Sequence, residues 1–218
     1  MQPSGYVAVC MHMGTYKYYI VGAMALILVA AGAYYLLKGD SLRPLSQEQT
    51  PQGPVVVATS TYTTTSYSAV YPNDFAVDPN YSNTSVNPQK PIAGVRFIIP
   101  LTMATGTNLS ADSYLSIEQL PRAKNCTGDI YLAANVKATS EMVNGVSYSV
   151  AQSMEAAAGN RYEEIIYART GSDPCTAVRY AIHTTEIGNY PEGTVREFDR
   201  ATLLTAFDAI RDSLMLTQ

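Results

Sequence analysis

Histidine and acidic side chains are the residues of this chain best suited to acid–base chemistry. His183 lies in an apolar, strand-like segment, and Glu163, Glu164 and Glu186 are conceivable carboxylate partners for it. A general base needs an acid or a nucleophile within hydrogen-bonding reach. No Gly-x-Ser-x-Gly nucleophile motif accompanies these residues. We therefore expect a hydrogen-bonded structural role for His183, keep it as a weak candidate site, and assign no catalytic residue.

No recognisable motif encodes a metal or nucleotide site. The only histidines are His12 and His183, and the chain has no CxxC, HxxxH or HExxH pattern. Gly159 is typical of a tight turn that enters a strand, since no Lys-Ser/Thr pair follows a glycine-rich loop. We expect neither a cofactor nor a metal.

The positions of the three cysteines indicate which parts of the protein are in an oxidising compartment. Cys10 is near the start of the chain, whereas Cys126 and Cys175 lie in polar, loop-like contexts of the predicted domain. Two cysteines in one exported domain usually pair. We predict a Cys126–Cys175 disulfide, which contributes about 3–4 kcal/mol in the chain-entropy account. Two buried free thiols are the alternative.

A hydrophobic run from Tyr18 to Leu37 holds twenty residues without a formal charge. As a helix it spans roughly 30 Å, the thickness of the bilayer core. The tyrosine pairs near its two ends are typical of the aromatic belts at membrane interfaces. We predict a single transmembrane helix at 18–37. A cleaved signal peptide, with Ala31-Gly-Ala33 as the cleavage site, remains an alternative.

The charges beside this run do not decide its orientation. Lys17 precedes it, and Lys38 and Arg43 follow it, which slightly favours a cytoplasmic C-terminal domain. The cysteine pair and the polar segment after the run favour the opposite side of the membrane. We predict a cell-membrane protein whose soluble domain is extracytoplasmic.

We predict that this chain of 218 residues has four parts: a short tail at 1–17, the transmembrane helix at 18–37, a flexible linker at 38–60 and a soluble domain at 61–218. Proline, glutamine, serine and glycine dominate the linker. From Thr61 onward, 11 Lys and Arg stand against 16 Asp and Glu, a net charge of −5 that argues against nucleic acid as a partner.

Strand-like segments dominate the predicted domain. They cover residues 59–68, 94–100, 113–118, 146–151, 160–168 and 176–184, and residues 129–134 fit either a strand or a helical turn. Asn144-Gly145 and residues 169–174 predict hairpin turns. Asp199 can cap a helix that reaches about Leu216 with one apolar stripe. The fold class predicted is α+β, an antiparallel sheet packed by a C-terminal amphipathic helix.

Several segments carry a resemblance to a known group of proteins. They are Ala156 to Glu164, Cys175 to His183, Ile187 to Gly193 and Arg196 to Arg200, with Tyr71-Pro-Asn-Asp-Phe75 similar to the YP..F element of a first hairpin. Together, over roughly residues 62–216, the chain resembles uncharacterised bacterial membrane-anchored proteins with a PsbP-like α/β sandwich. The resemblance implies that fold and brings no catalytic residues, because fold alone does not give function.

Three classes of function remain open: a binding module, an enzyme and a structural component. The first is a non-enzymatic binding or assembly module with a protein partner in the cell envelope, for which Asn189, Tyr190 and Pro191 form a possible recognition loop. The same loop also fits a constrained connection into the last helix. The alternative is a cell-envelope hydrolase that uses His183 with nearby carboxylates. A purely structural component would pair its strand edges between copies.

Overall fold

The computed structural model of the protein describes residues 57–217. The predicted tail at 1–17, the predicted transmembrane helix at 18–37 and residues 38–56 of the predicted linker lie outside the described residues. Within the described part, no helix has the length and apolar character that crossing a bilayer requires.

Residues 57–217 form eleven β-strands, two α-helices and two short 3-10 helices. The strands are β1 (Thr59–Thr63), β2 (Tyr67–Pro72), β3 (Ala76–Asp78), β4 (Ser82–Asn83), β5 (Ile92–Ile98), β6 (Tyr114–Leu120), β7 (Thr139–Val143), β8 (Val146–Ala157), β9 (Asn160–Arg169), β10 (Cys175–Thr185) and β11 (Met215–Leu216). The helices are α1 (Leu101–Ala104) and α2 (Arg200–Asp212), and the 3-10 helices are Gly128–Tyr131 and Ile187–Asn189.

Two antiparallel sheets organise these strands. The large sheet has the order β3-β5-β6-β10-β9-β8-β7, and β4 also pairs with β5. The small sheet has the order β1-β2-β11. The prediction of a mostly antiparallel sheet with few helices is therefore confirmed. The predicted hairpins at Asn144-Gly145 and at the turn before β10 are also confirmed, by the β7–β8 and β9–β10 pairings.

Helix α2 and the small sheet cover one face of the large sheet. The helix places Leu203, Phe207 and Ile210 against the sheet, and all three are buried. Their spacing is the apolar stripe that the sequence predicts. Beside the helix, the small sheet packs on the large sheet through aromatic contacts, with the rings of Tyr62 and Tyr71 centred 6.0 and 5.0 Å from that of Phe97 on β5.

A loop covers part of the opposite face of the large sheet. Residues 121–138 cross it, and the buried Tyr131 and Leu132 pack there with Ile166 and Ala177. The disulfide between Cys126 and Cys175 joins this loop to β10, with a Cα–Cα distance of 5.1 Å. The predicted pairing of these cysteines is thus confirmed. Residues 129–134, ambiguous in sequence, belong to the 3-10 helix and to the irregular segment after it.

The single strand predicted at 59–68 is wrong, because the segment folds back on itself as the β1–β2 hairpin. The Oγ1 of Thr64 accepts hydrogen bonds from the backbone N–H groups of Ser66 and Tyr67, at 3.2 and 3.0 Å. A threonine hydroxyl that binds nearby backbone in this way stabilises a turn. The β propensity of the segment therefore indicates its extended backbone, and the turn at Thr64 divides it into two strands.

Helix α2 begins where the sequence predicts and ends earlier. The side chain of Asp199 accepts from the N–H of Thr202, which is N-cap geometry. The helix stops at Asp212 rather than near Leu216. Ser213 Oγ donates to the carbonyl of Ile210 at 2.7 Å and accepts from the N–H of Val70 at 2.8 Å, which ties the end of the helix to β2, where the next residues pair as strand β11.

Candidate functional site

A cavity of about 220 Å³ lies on the loop-covered side of the large sheet, beyond the part that residues 121–138 reach. Its floor is Ala181 on β10, whose cross-strand neighbours are Tyr114 on β6 and Glu164 on β9. The remaining lining residues are Asp112, Tyr162, Glu163, Ile182 and His183. Directly opposite side chains on neighbouring strands touch, so a small residue between larger ones leaves a depression. The cavity therefore follows from the strand register.

A buried ion cluster lies under one wall of the cavity. Arg179 is two residues before Ala181 and faces the same side, with its side chain 1% exposed. Its guanidinium makes a bidentate pair with Glu118, at 2.7 Å from Nε and 3.0 Å from Nη2. Its Nη1 donates to Glu164, and Nη2 also donates to the carbonyl oxygen of Tyr131 at 2.6 Å. Four N–H directions of the guanidinium are thus satisfied.

Glu118 is fully buried and is held by further donors. Ser116 Oγ donates to its Oε1 at 2.7 Å, and Asn83 Nδ2 donates to its Oε2 at 3.2 Å. Burial alone would lower the pKa of Arg179, but attraction and hydrogen bonding to Glu118 outweigh burial and raise that pKa. The guanidinium is permanently charged, and the cluster satisfies the rule that buried charges are paired.

The cluster and the cavity together carry excess negative charge. Two carboxylates, Glu118 and Glu164, stand against the single guanidinium of Arg179. Glu164 is the member that reaches the cavity, with its side chain 29% exposed. Asp112 adds a second carboxylate at the rim. Nearby Arg96 does not offset this charge, because it is paired with Asp78 at 3.0 Å.

His183 occupies the rim with both ring nitrogens engaged. Nδ1 lies 2.8 Å from Asp112 Oδ1, and Nε2 lies 3.0 Å from Asn160 Oδ1. The ring also stacks on Tyr162, with 4.4 Å between centroids. Burial of Asp112 opposes its ionisation, but hydrogen bonds from Ser110 and His183 prevail and lower the pKa of Asp112. Asp112 is therefore a carboxylate at neutral pH.

The glutamates that the sequence offered as partners of His183 do not contact its ring, so that pairing is wrong. Glu163 pairs with Arg200 at 2.6 Å, on the α2 side of the sheet. Glu186 pairs with Arg161 at 3.1 Å. Glu163 and Glu164 both line the cavity, but neither contacts the ring nitrogens of His183. Adjacent strand residues face opposite sides, so two of these residues could not have converged from one strand.

Asp112 and Arg179 are the site residues that sequence reasoning missed. Asp112 lies in the loop before β6, and its position opposite His183 depends on long-range pairing. Arg179 did carry a signal, because an arginine inside an apolar strand is rarely buried unless it is paired. The partner Glu118 follows from the β6–β10 register, which places it opposite Ala177.

The predicted recognition loop lies beside the turn between β8 and β9 and does not line the cavity. Asn189 Nδ2 donates to the carbonyl of Gly159 at 3.3 Å, and the hydroxyl of Tyr190 lies 2.9 Å from Thr185 Oγ1. Pro191 accepts from Thr194. These local contacts fit a constrained connection from β10 toward α2. Tyr190 is nevertheless 39% exposed and available to a partner.

A larger groove of about 570 Å³ runs between α2 and the small sheet. It is lined by Val57, Thr59, Val70, Tyr71, Pro72, Asp74, Phe75, Met103, Ala201, Thr202, Thr205, Ala206, Ala209 and Ser213. Asp74 is the one charged residue among these. The groove is apolar without a convergent set of polar groups, whereas binding sites combine apolar walls with a few placed polar groups. The cavity at Ala181 fits that description better.

Residues 57–217 contain no group of three or more histidine, cysteine, aspartate or glutamate side chains arranged to hold a metal ion. No model of a known protein family matches this chain, and no curated protein matches it either. The function proposed below therefore depends on the chemistry of the site itself.

Proposed function

We propose that this protein is a membrane-anchored, extracytoplasmic binding module, and that the cavity at Ala181 receives a positively charged group of its partner. The observation that carries the proposal is an excess of carboxylates at a concave site: Glu118 and Glu164 share the single guanidinium of Arg179, and Asp112, in contact with the His183 ring, adds a further carboxylate at the rim. A basic side chain of an envelope protein has the complementary charge. The PsbP-like resemblance of the sequence is compatible with this role and supplies no activity.

The cavity favours a cationic ligand because the contacts of its carboxylates keep them ionised and leave them able to accept hydrogen bonds. Glu164 keeps one oxygen on Arg179 and is partly exposed, so it can accept from a ligand without losing its buried partner. Asp112 stays ionised through its hydrogen bonds. Tyr114 and Tyr162 supply apolar walls, although Arg96 and His183 already occupy a π face of each. Attraction to the carboxylates is therefore the main expected contribution.

A ligand titration tests the cavity. We expect N-acetyl-arginine amide to bind the full-length chain in detergent, and its neutral isostere N-acetyl-citrulline amide to bind at least about threefold more weakly, since the isostere lacks the charge. Glu164→Gln keeps an oxygen for Arg179 but removes the charge, and Ala181→Leu fills the floor. Each should weaken binding by about threefold to tenfold in saturation-transfer NMR.

Glu141→Gln is the matched control for that titration, because Glu141 is an exposed carboxylate on β7 outside the cavity. It should leave the affinity unchanged. Equal binding of the arginine and citrulline ligands would refute the cationic ligand. Equal loss with Glu141→Gln would show that only the overall charge of the domain matters.

The anchor is tested separately from the cavity. We expect the full-length chain to stay in the membrane fraction through alkaline carbonate washing. Leu26→Arg with Leu28→Arg should release it, because each arginine at the centre of a span costs roughly 2.5–3.5 kcal/mol. Leu45→Arg, in the predicted linker, should leave the protein in the membrane. A released mature protein that begins just after Ala33 would establish the cleaved signal peptide instead.

The hydrolase alternative rests on the Asp112–His183 contact, which orients the imidazole in the manner of a general base. Two features favour the binding module. Nε2, the nitrogen that would act on a nucleophile, already faces Asn160. Among residues 57–217, no hydroxyl or thiol is hydrogen-bonded to either ring nitrogen. The contact accordingly stabilises the rim of the cavity.

A further inference from the structure

We propose that strand β1 is a self-association edge, through which two copies of this chain join their small sheets antiparallel about Thr61. The proposal uses the opposite side of the molecule from the cavity and does not depend on a cationic ligand. It rests on three observations, which are the direction of the β1 backbone groups, the absence of charge along the edge, and the symmetry of its sequence.

Among residues 57–217, the backbone groups on the outward edge of β1 have no hydrogen-bond partner. The register pairs Ser60 with Tyr71 and Thr61 with Val70, and the hairpin is closed by hydrogen bonds from Asn73 N to Ala58 O and from Thr64 N to Tyr67 O. Hydrogen-bonded and non-bonded pairs alternate along an antiparallel ladder. Even-numbered residues 58–64 therefore bond to β2. Odd-numbered residues 59, 61 and 63 direct their N–H and C=O groups away from it.

Strand β1 lacks the charged side chains and prolines that prevent a further strand from pairing with an edge. Residues 57–73 contain no charged side chain, and β1 itself has no proline. Natural edge strands are commonly protected by charge, proline, a bulge or short length. Elsewhere in the described chain the outer strands of the large sheet have such protection. Strand β7 carries the exposed Glu141, β3 is three residues long and contains Asp78, and β4 has two residues.

The sequence of β1 favours the same strand of a second copy of this chain as its partner. It reads Thr-Ser-Thr-Tyr-Thr, with threonine at both ends and at the centre. A twofold axis at Thr61 pairs Thr61 with Thr61 of the second copy, and Thr59 with its Thr63. These are the residues whose backbone groups point outward, and each such pair can exchange both hydrogen bonds. Threonine–threonine pairs across strands are favourable, and one self-complementary patch closes a dimer.

The neighbouring apolar groove adds surface to this contact. Thr59 and Val57 line the groove, and Val57 is 57% exposed. Opposite residues of an antiparallel pair share a face. Thr63 of the second copy would consequently lie beside Thr59 on the groove side, and would extend the wall of the groove.

Cysteine crosslinking tests the predicted register. In the full-length chain with Cys10→Ser, Thr61→Cys should give a covalent dimer on mild oxidation, because the Cα atoms of such a pair are about 5.5 Å apart, within disulfide range. Met142→Cys, on the exposed outer strand β7, is the matched control and should stay monomeric. Dimer yields that are equal for the two variants would overturn the proposal.

A second measurement keeps the test independent of cysteine chemistry. Thr61→Pro removes the outward N–H at the centre of the edge and leaves the hydrogen bonds to β2 intact. The mass of the detergent-solubilised protein should fall from dimer to monomer with Thr61→Pro and stay dimeric with Thr61→Val. A wild-type protein that is monomeric at all concentrations studied would refute the inference, whatever ligand the cavity binds.

Discussion

Replacing Arg179 with methionine is expected to lower the free energy of unfolding by about 3–5 kcal/mol. The substitution leaves Glu118, whose side chain is 0% exposed, without a counter-charge, and leaves the Tyr131 carbonyl without its donor. Ser116 and Asn83 remain as neutral donors and cannot replace a bidentate cation. Urea denaturation followed by far-UV circular dichroism measures the loss.

Arg161→Met is the matched control for that experiment. Arg161 forms the same type of ion pair, with Glu186, but the two side chains are 61% and 54% exposed. Exposed pairs contribute about 0–1 kcal/mol, so the control should remain close to wild type. If Arg179→Met were as mild as Arg161→Met, the ion cluster would not be structurally important.

A double variant separates an unpaired charge from lost packing. Arg179→Met combined with Glu118→Leu removes both partners of the buried pair. Replacing a buried pair by apolar residues of similar size is often neutral, whereas removing one partner is costly. The double variant should therefore recover most of the stability that Arg179→Met loses. Its failure to do so would indicate that the guanidinium matters mainly for packing.

The parts of the fold that follow local rules were predictable from the sequence. The β9–β10 hairpin shows long β-branched and aromatic runs around a turn with Gly171 and Pro174, and both strands appear where predicted. Helix α2 begins at its predicted cap. Its end was not predictable from the apolar stripe, because Leu214 continues the period although the chain has already turned to join β2.

The site was less predictable because its members are far apart in sequence. Arg179 and Glu118 are 61 positions apart and meet only through the β6–β10 register. The period of a strand places Glu163 and Glu164 on opposite faces of β9, so their carboxylates cannot both face His183. The contact of Asp112 with His183 depends on a loop whose path the sequence does not encode in a recognisable pattern. The cavity itself depends on the small size of Ala181.

Loss of the disulfide is expected to lower the free energy of unfolding by about 4 kcal/mol. Cys126 and Cys175 are separated by 49 positions, and the chain-entropy account gives this value for a loop of that length. The bond also holds residues 121–138 over the buried ion cluster. Tyr131 in that loop donates its hydroxyl proton to the carbonyl of Cys175 at 2.7 Å and accepts from Arg179.

The measurement compares urea denaturation of wild type and of Cys126→Ala with Cys175→Ala, each with and without reductant. Reductant should destabilise wild type and leave the double variant unchanged. Cys10→Ala is the matched control and should behave like wild type. A wild-type protein indifferent to reductant would contradict a structural role for the bond.

Because the disulfide and the ion cluster share the loop through Tyr131, their losses should not add. Combining the two alanine substitutions with Arg179→Met should cost less than the separate effects together, since a loosened loop already admits water to Glu118. Residues in one network show interaction energies of about 0.5–3 kcal/mol in such a cycle. Strict additivity would mean that the loop stays in place without its covalent link, held by the packing of Tyr131 and Leu132 alone.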